Sequence, residues 1–318
     1  MKLTLFGLAV ALTVTGSAMA ADTQVSVEGP SGVLKGTLSS PDSGPKAPVA
    51  IIIPGSGPTD RDGNNPLGVA AASYRLLAEA LAAKGLSTVR IDKRGMFGSS
   101  AAAADADNIR MSDYAADVRA WGLEARKRAS APCAWLIGHS EGSLIALITA
   151  QQPEGICGLV LVAGAGRKLG DILREQLKAN PANAPIVPQA LAAITELEAG
   201  RRVDVGGMHP ALMALFRPSV QGFLIDQMSH DPAALVARYT GPVLVLQGTT
   251  DLQVTMQDAQ RLAVARPGVT MMALEGVNHV LKLAPADRAA NFATYGNSAL
   301  PIAPSVVEAI TTFLARYR

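Results

Sequence analysis

The sequence has few charged residues, few aromatic residues and only two cysteines. Charged side chains make up 17% of its 318 residues, below the roughly 25% of an average soluble domain. The 28 basic and 26 acidic residues nearly cancel, to a net charge of +2, so the chain lacks the basic surface typical of nucleic-acid-binding proteins. Two cysteines exclude a disulfide-dense scaffold and a four-cysteine metal cluster. Because 49% of the residues are hydrophobic, intrinsic disorder is excluded as well.

The first 20 residues have the pattern of a secretory signal peptide. Lys2 precedes an uncharged run from Leu3 to Val14, and Ala18-Met19-Ala20 ends the segment with a typical cleavage motif. The run is short for a bilayer span, although a buried helix or a membrane anchor is the alternative. We therefore expect cleavage after Ala20, a periplasmic or secreted protein, and no stable membrane insertion after signal removal.

Strand and helix patterns alternate along most of the chain. A hairpin around Gly29-Pro30 comes first, and a last helix is predicted to begin at Ser305 with Glu308 completing a capping box. Short apolar runs between them predict strands at Ala50–Ile53, Ser87–Ile91, Ala134–Ile137, Gly158–Val162, Val243–Leu246 and Val269–Leu274. Helical patterns separate these strands, which indicates an α/β fold with a mostly parallel sheet and helices on both faces.

The alternation is interrupted between residues 167 and 240. This segment has helical patches, prolines and glycines but no strong strand pattern. It predicts a helical insertion (residues 167–240) that divides one α/β core into residues 21–166 and 241–318. We expect the insertion to form a lid. Its apolar residues either line the substrate site or pack the lid's own core; they are Leu212, Met213, Leu215, Phe216, Phe223 and Leu224.

Gly138-His139-Ser140-Glu141-Gly142 stands where a predicted strand ends and a helix begins. In that context a serine sits on a sharp, strained turn with its hydroxyl exposed above the sheet, and glycines two residues away on either side prevent collisions. A tight turn with a capping serine is the alternative interpretation. The pattern favours Ser140 as a nucleophile.

A serine nucleophile needs a base and an acid that orients the base. The chain has four histidines. His139 is expected to point away from Ser140, and His209 and His230 fall in the insertion. His279 follows the strand Val269–Leu274, and Asp251 follows Val243–Leu246, both at the carboxyl edge of the sheet. The chain order Ser140, Asp251, His279 is that of a nucleophile-elbow enzyme.

An oxyanion intermediate needs two hydrogen-bond donors. One is predicted to be the backbone N–H of Glu141, directly after the nucleophile. The other is expected in the loop after the strand Ala50–Ile53, where glycines allow close approach to a substrate. We assign it to the N–H of Ser56, with Gly57 as the alternative.

The sequence resembles secreted bacterial α/β-hydrolases of the esterase and serine-aminopeptidase-like group. The resemblance covers about Thr23–Gly166 and Gly241–Arg318, and rests on the elbow and two further runs. These are Pro54-Gly55-Ser56-Gly57-Pro58-Thr59-Asp60-Arg61-Asp62-Gly63-Asn64 and Arg90-Ile91-Asp92-Lys93-Arg94-Gly95, followed by Gly98 and Ser99. It implies the α/β-hydrolase fold, and ester hydrolysis more readily than peptide cleavage.

Two further features leave alternatives open. The charged residues of these runs either brace loops through ion pairs and turn caps or, at Arg61, contact an acidic group of a substrate. Cys133 and Cys157 precede neighbouring strands, which lie roughly 4.8 Å apart in a parallel pair. They form either a disulfide, as an oxidising compartment favours, or two buried thiols.

The sequence thus predicts a serine esterase that acts on a small-molecule ester through Ser140, His279 and Asp251. Neither a cofactor nor a metal is expected, and no nucleic-acid partner; the oligomeric state is not set by the sequence. A peptidase or amidase on the same three residues is the alternative, and a non-catalytic binding protein with this fold is a further one.

Overall fold

The structure is a computed structural model that describes residues 21–45 and 48–317. The signal peptide prediction falls on residues 1–20, which lie outside the described residues. The strands are β1 (Ala21–Gly29), β2 (Gly32–Ser40), β3 (Val49–Ile53), β4 (Asn64–Asn65), β5 (Val69–Ala70), β6 (Ser87–Ile91), β7 (Ala134–His139), β8 (Ile156–Val162), β9 (Val243–Gly248) and β10 (Val269–Leu274). The α-helices are α1 (Ser73–Ala82), α2 (Met111–Ala129), α3 (Glu141–Thr149), α4 (Leu169–Ala179), α5 (Val187–Glu198), α6 (Pro210–Leu215), α7 (Gln221–Ser229), α8 (Pro232–Arg238), α9 (Met256–Val264), α10 (Arg288–Ala293) and α11 (Pro304–Ala315).

Eight strands form one sheet in the order β1-β2-β6-β3-β7-β8-β9-β10, and β4 pairs with β5 separately. Every pair from β6 to β10 in this order is parallel, whereas β2 is antiparallel to both β1 and β6. The predicted hairpin and the mostly parallel sheet are therefore confirmed. All the parallel strands end at one edge, which we call the carboxyl edge; their starts form the amino edge.

Two apolar cores cover the two faces of the sheet. Alternate residues of β3 divide between them: Ile51 and Ile53 pack with α2, α3 and α9, while Ile52 packs with α1 and α11. All five residues of β3 are buried. A strand covered on both faces needs apolar side chains at every position, which explains its uninterrupted hydrophobic run.

Two details at the C-terminal end differ from the sequence prediction. Helix α11 begins at Pro304, and Ala303 before it makes no side-chain cap; the predicted capping box of Ser305 and Glu308 is therefore wrong. Proline suits the first helical position because its fixed φ is helical and its missing N–H has no partner there anyway. Helix α10 was not predicted. Asp287 caps it by accepting from the N–H of Ala290 at 2.9 Å.

Five helices, α4 to α8, and no strand connect β8 to β9 in this described part of the chain. Helices α4 to α7 enclose a small apolar core of their own, whereas α8 packs into the main core. At the amino edge of the sheet, Cys133 and Cys157 form a disulfide, which decides between the two alternatives left open by the sequence.

Among the helices that the structure describes, none combines the length and the apolar character needed to cross a membrane.

Candidate active site

Ser140 occupies the turn between β7 and α3, in a backbone conformation that L-residues rarely adopt. Its φ is 53° and its ψ is −120°, and such a conformation costs of order 1–3 kcal/mol. A hydrogen bond of 2.9 Å from its N–H to the carbonyl of Val162 holds the turn against the neighbouring strand. The side chain is partly exposed at the carboxyl edge, as a nucleophile requires.

The flanking glycines of this turn are required by space. A Cβ on Gly138 would lie 2.3 Å from the carbonyl oxygen of Gly142, and a Cβ on Gly142 would lie 2.2 Å from the carbonyl oxygen of Ile53. Both distances are far below van der Waals contact, and both obstacles are backbone atoms. The sequence suggested that both glycines are needed because the turn packs closely against a strand and a helix. The structure confirms this reason.

His279 and Asp251 meet at the same edge. Nδ1 of His279 lies 2.8 Å from Oδ2 of Asp251, and both side chains are buried. A carboxylate only accepts hydrogen bonds, so Nδ1 carries the proton and Nε2 is the basic nitrogen. The N–H groups of Gln253 and Val254 also donate to Asp251, at 2.7 and 3.0 Å. Burial raises the pKa of Asp251, but the attraction of His279 and these hydrogen bonds outweigh it and hold the pKa below its ordinary value.

The expected oxyanion donors lie on either side of Ser140. Glu141 is the first residue of α3, where a backbone N–H has no partner within the helix. Ser56 lines the space around Ser140, and its N–H has no acceptor within the described part of the chain. Gly57, the alternative position, lines neither of the two cavities described below.

His139 is buried, and its hydrogen bonds connect His279, Tyr74 and, through the Tyr74 hydroxyl, Gly55. Its Nε2 lies 2.8 Å from the carbonyl oxygen of His279 and its Nδ1 lies 2.8 Å from the hydroxyl of Tyr74, which also accepts from the N–H of Gly55 at 3.0 Å. A carbonyl only accepts, so Nε2 is protonated, Nδ1 accepts, and the Tyr74 hydroxyl donates to it. Burial and the neighbouring His279 lower the pKa of His139 to about 3, so the ring is neutral at neutral pH.

Lys93 is a second buried connection that sequence reasoning missed. Its Nζ donates to the carbonyl of Gly55 at 2.7 Å and to Glu141 at 2.9 Å. The Glu141 carboxylate also accepts from Gln227 of the helical insertion at 3.2 Å. Lys93 therefore ties the loop after β3 to the start of α3, the two segments that carry the candidate oxyanion donors. The only signal in the sequence was its place in the run Arg90–Gly95.

Two cavities adjoin Ser140, and both are also lined by Ser56 and Gln253. The first, the polar cavity, has a volume of about 120 Å³ and is lined by Gly55, Ser56, Thr59, Gly63, Asn65, Val69, Ser73, Tyr74, His139, Ser140, Gln253, His279, Val280 and Tyr295. The second, the aliphatic cavity, has a volume of about 230 Å³ and is lined by Ser56, Ser140, Glu141, Leu144, Ala165, Arg167, Leu169, Ile172, Leu173, Gln176, Gln227, His230, Pro232, Gln253 and Val254.

Several residues that the sequence singled out lie elsewhere. Arg61 is bound to Asp92 through its Nε at 2.9 Å and to Gln24 at 3.0 Å, so it braces a loop, and it lines neither of the two cavities. His209 is exposed and caps α6, whereas His230 lines the aliphatic cavity.

None of the six apolar insertion residues named above lines either cavity. Leu212, Phe216 and Leu224 are buried in the insertion's own core, and Phe223 packs edge-to-face on Tyr114. Of the two alternatives left open by the sequence, self-packing of the insertion holds for Leu212, Leu215, Phe216 and Leu224, whereas Phe223 packs against the main core and Met213 is exposed. The faces that do line the aliphatic cavity belong to α4 and to the chain around Pro232.

Comparison with curated sequences shows one informative relative. Esterase EstD of Thermotoga maritima is 24% identical over 258 residues, which is 78% of this chain and 58% of that protein. The chain therefore spans less than two thirds of the length of this relative.

Solved structures share the fold at low sequence identity. Est1E from Butyrivibrio proteoclasticus with bound ferulic acid is 16% identical, with 92% of this chain and 99% of that chain covered and a TM-score of 0.57. A malate-bound thermophilic esterase from Thermogutta terrifontis is 17% identical, with coverage of 93% and 99% and a TM-score of 0.56. The α/β hydrolase GrgF from Penicillium sp. sh18 is 17% identical, with the same coverage and a TM-score of 0.59.

The sheet order and the helices on both faces are those of the α/β-hydrolase fold, as expected from the sequence. A model of the α/β hydrolase family matches residues 50–294, most of the chain. This protein is a member of the α/β hydrolase family.

Proposed function

We propose that this protein is a serine hydrolase that cleaves carboxylic esters through an acyl-enzyme on Ser140. The proposal rests above all on one observation: His279, whose Nδ1 lies 2.8 Å from Asp251, lines the same cavity as a serine whose backbone is strained at φ 53°. Strained backbone persists only where the surrounding structure holds it in place, and such residues cluster at active sites. An esterase among the relatives is consistent with this activity.

Each step uses a group of the site. His279 Nε2 takes the proton of Ser140 as Oγ attacks the ester carbonyl, and Asp251 stabilises the resulting imidazolium. The oxyanion accepts hydrogen bonds from the N–H groups of Ser56 and Glu141. His279 then gives its proton to the leaving alkoxide and the alcohol departs. Water, deprotonated by His279, then attacks the acyl-enzyme. As the bond between the acyl carbon and Oγ breaks, His279 returns the proton to Ser140 and the carboxylic acid is released.

An ester is favoured over a peptide by the charges around Ser140. An aminopeptidase needs an anion to hold the substrate's terminal ammonium, yet the polar cavity has no carboxylate in its lining. Glu141 in the aliphatic cavity is paired with Lys93. An aminopeptidase role therefore lacks a free anionic anchor in the linings of these two cavities, whereas a neutral ester needs none.

Replacement of Ser140 tests the function. We expect Ser140→Ala to lower the turnover of short p-nitrophenyl esters by up to about 10⁶-fold, because no nucleophile is left. The matched control is Ser100→Ala, at an exposed position outside both cavities, which should keep the wild-type rate. Near-wild-type turnover by Ser140→Ala, with both variants folded by circular dichroism, would contradict the mechanism.

Two further parts of the proposal concern location and architecture. We propose export to the periplasm or beyond, supported by the signal-like N-terminus and by the Cys133–Cys157 disulfide, since disulfides persist in oxidising compartments. We also propose that the insertion, residues 167–240, acts as the lid. Helix α4 lines the aliphatic cavity, and Gln227 binds Glu141 beside the nucleophile.

A further inference from the structure

The two cavities differ in chemistry and only one of them contains the candidate base. His279 lines the polar cavity and not the aliphatic one, while Ser140 lines both. We propose that the leaving alcohol occupies the polar cavity and the acyl group the aliphatic cavity. The substrates are then esters of short to medium aliphatic monocarboxylic acids with small, uncharged, hydroxylated alcohols. This assignment rests on the function proposed above.

The direction of the substrate follows from where the proton goes. The proton that His279 Nε2 takes from Ser140 is delivered to the oxygen of the leaving alcohol, and this transfer requires hydrogen-bond reach. The leaving oxygen therefore lies on the side of His279, which is the polar cavity. The acyl chain, on the other side of the carbonyl carbon, is directed towards the space that His279 does not line.

The polar cavity offers neutral hydrogen-bonding groups in a small volume. The Tyr295 hydroxyl accepts from Gln253 at 3.3 Å, so its own proton is free for an acceptor on a ligand. Thr59 and Asn65 also line this cavity, and the Asn65 amide donates to the Thr59 hydroxyl at 3.3 Å. Apart from the histidines, no ionisable side chain other than the tyrosines lines this cavity. A charged alcohol would lose its hydration there without a partner, which is costly, whereas a neutral hydroxylated one finds donors and acceptors.

The aliphatic cavity has a wall that suits a hydrocarbon chain. Leu169, Ile172 and Leu173 stand three and four residues apart on α4, so they share one face of the helix. Leu144 and Val254 contribute further apolar surface. Each methylene buried in such a site favours binding by roughly fourfold.

The charges that border this cavity are already neutralised. Nη2 of Arg167 donates to Asp258 at 2.7 Å, and Glu141 is paired with Lys93 at 2.9 Å. The cation Arg167 is therefore not left to bind a second carboxylate on the acyl group, and the anion Glu141 would repel one. The cavity therefore selects monocarboxylic acyl groups.

The experiment compares two variants with two ester series. One series keeps ethanol as the alcohol and varies the acyl group from acetate to octanoate; the other keeps butyrate and compares the glyceryl monoester with the propyl ester. Ile172→Trp fills the aliphatic cavity and should lower kcat/KM for octanoate relative to acetate by roughly tenfold or more, while Ile172→Ala should shift the preference towards longer chains. Tyr295→Phe removes the free donor of the polar cavity and should lower the glyceryl-to-propyl ratio by roughly tenfold.

The rate of deacylation separates the two cavities independently, because the alcohol has left before that step. The rate of acyl-enzyme decay, measured by stopped flow, should depend on acyl length differently in Ile172→Trp than in the wild type. In Tyr295→Phe this dependence should be that of the wild type. Met213→Trp is the matched control, since Met213 lies on the insertion, partly exposed and outside both cavities; it should show the wild-type ratios.

Two failures are distinguishable. Wild-type protein that forms no acyl-enzyme and hydrolyses no ester of either series would refute the proposed function. The other failure concerns the assignment of the cavities alone, in wild-type protein that hydrolyses both series. That assignment would be overturned if Ile172→Trp changed only the glyceryl-to-propyl ratio and Tyr295→Phe changed the dependence of deacylation on acyl length.

Discussion

The two edges of the sheet have opposite characters, and strand β7 connects them. At the amino edge, Cys133 precedes β7 and is joined to Cys157 of β8 by a disulfide. At the carboxyl edge, β7 ends in His139 and runs into Ser140 with its strained backbone. The amino edge thus has a crosslink that stabilises the native state, whereas the carboxyl edge holds groups that cost stability. Changes at the carboxyl edge should therefore alter rate, and changes at the amino edge should alter only stability.

Loss of the base at the carboxyl edge should have the largest effect. We expect His279→Ala to lower ester turnover by about 10⁵–10⁶-fold, because nothing else takes the proton of Ser140. His209→Ala, which changes an exposed histidine outside both cavities, should retain the wild-type rate. Steady-state kinetics on a p-nitrophenyl ester measure both. A His279→Ala variant within about tenfold of wild type would break the assignment of the base.

Loss of the crosslink at the amino edge should lower stability without changing the rate. The two cysteines are 24 residues apart, and closing a loop of that length is worth about 3 to 4 kcal/mol of unfolding free energy. We expect the double variant Cys133→Ser, Cys157→Ser to lose that amount in denaturant titrations and to keep kcat/KM in dilute buffer. A large fall in kcat of the still-folded variant would show that the two edges are coupled.

Lowering the pH should reduce the free energy of unfolding because His139 is buried as a neutral ring at the carboxyl edge. The pKa of His139 is about 3 in the native state, against an ordinary 6.5 in the unfolded chain. Above about pH 7 both states are neutral. Below that, the unfolded chain gains a proton that the native state excludes, so the free energy of unfolding falls as pH falls, by roughly 3 kcal/mol between about pH 7 and about pH 4.

The matched variant for this acid effect is His139→Asn, which has no titrating ring. Denaturant titrations at several pH values should show a shallower fall in its unfolding free energy than in the wild type, whatever its stability at neutral pH. An unchanged pH slope would mean that His139 is not the group responsible.

A smaller effect is expected from loss of the Tyr74 hydroxyl, which connects Gly55 of the loop after β3 to His139. Tyr74→Phe leaves the N–H of Gly55 and Nδ1 of His139 without their partner, which costs about 1–3 kcal/mol of stability. Because Gly55 adjoins Ser56, we also expect kcat to fall by roughly ten- to a hundredfold with little change in KM. A loss of stability with an unchanged kcat would assign Tyr74 a purely structural role.

What the sequence predicted well was set by local pattern. Strand β6 at Ser87–Ile91 and strand β10 at Val269–Leu274 have the predicted bounds, because apolar runs and turn residues define them. The placement of Ser140, Asp251 and His279 at one edge followed from the same logic, since successive parallel strands end on the same side.

What the sequence did not predict depends on contacts between distant residues. Tyr74 is a buried residue of α1, and only the fold brings its hydroxyl to His139, 65 residues away. Lys93 reaches Glu141 across 48 residues. Apolar insertion residues such as Phe216 were equally compatible with a substrate wall and with a small core, because hydrophobicity does not reveal the direction of a side chain.

Covalent labelling of the nucleophile tests the central claim most directly. Wild-type protein treated with a fluorophosphonate and digested should carry the label on the peptide containing Ser140, because its hydroxyl is activated by His279. His279→Ala, which keeps the serine but lacks the base, should label far more slowly, and Ser140→Ala should not label there at all. Labelling of Ser140 at the wild-type rate in His279→Ala, or of another residue in the wild type, would contradict a serine hydrolase mechanism built on Ser140, His279 and Asp251.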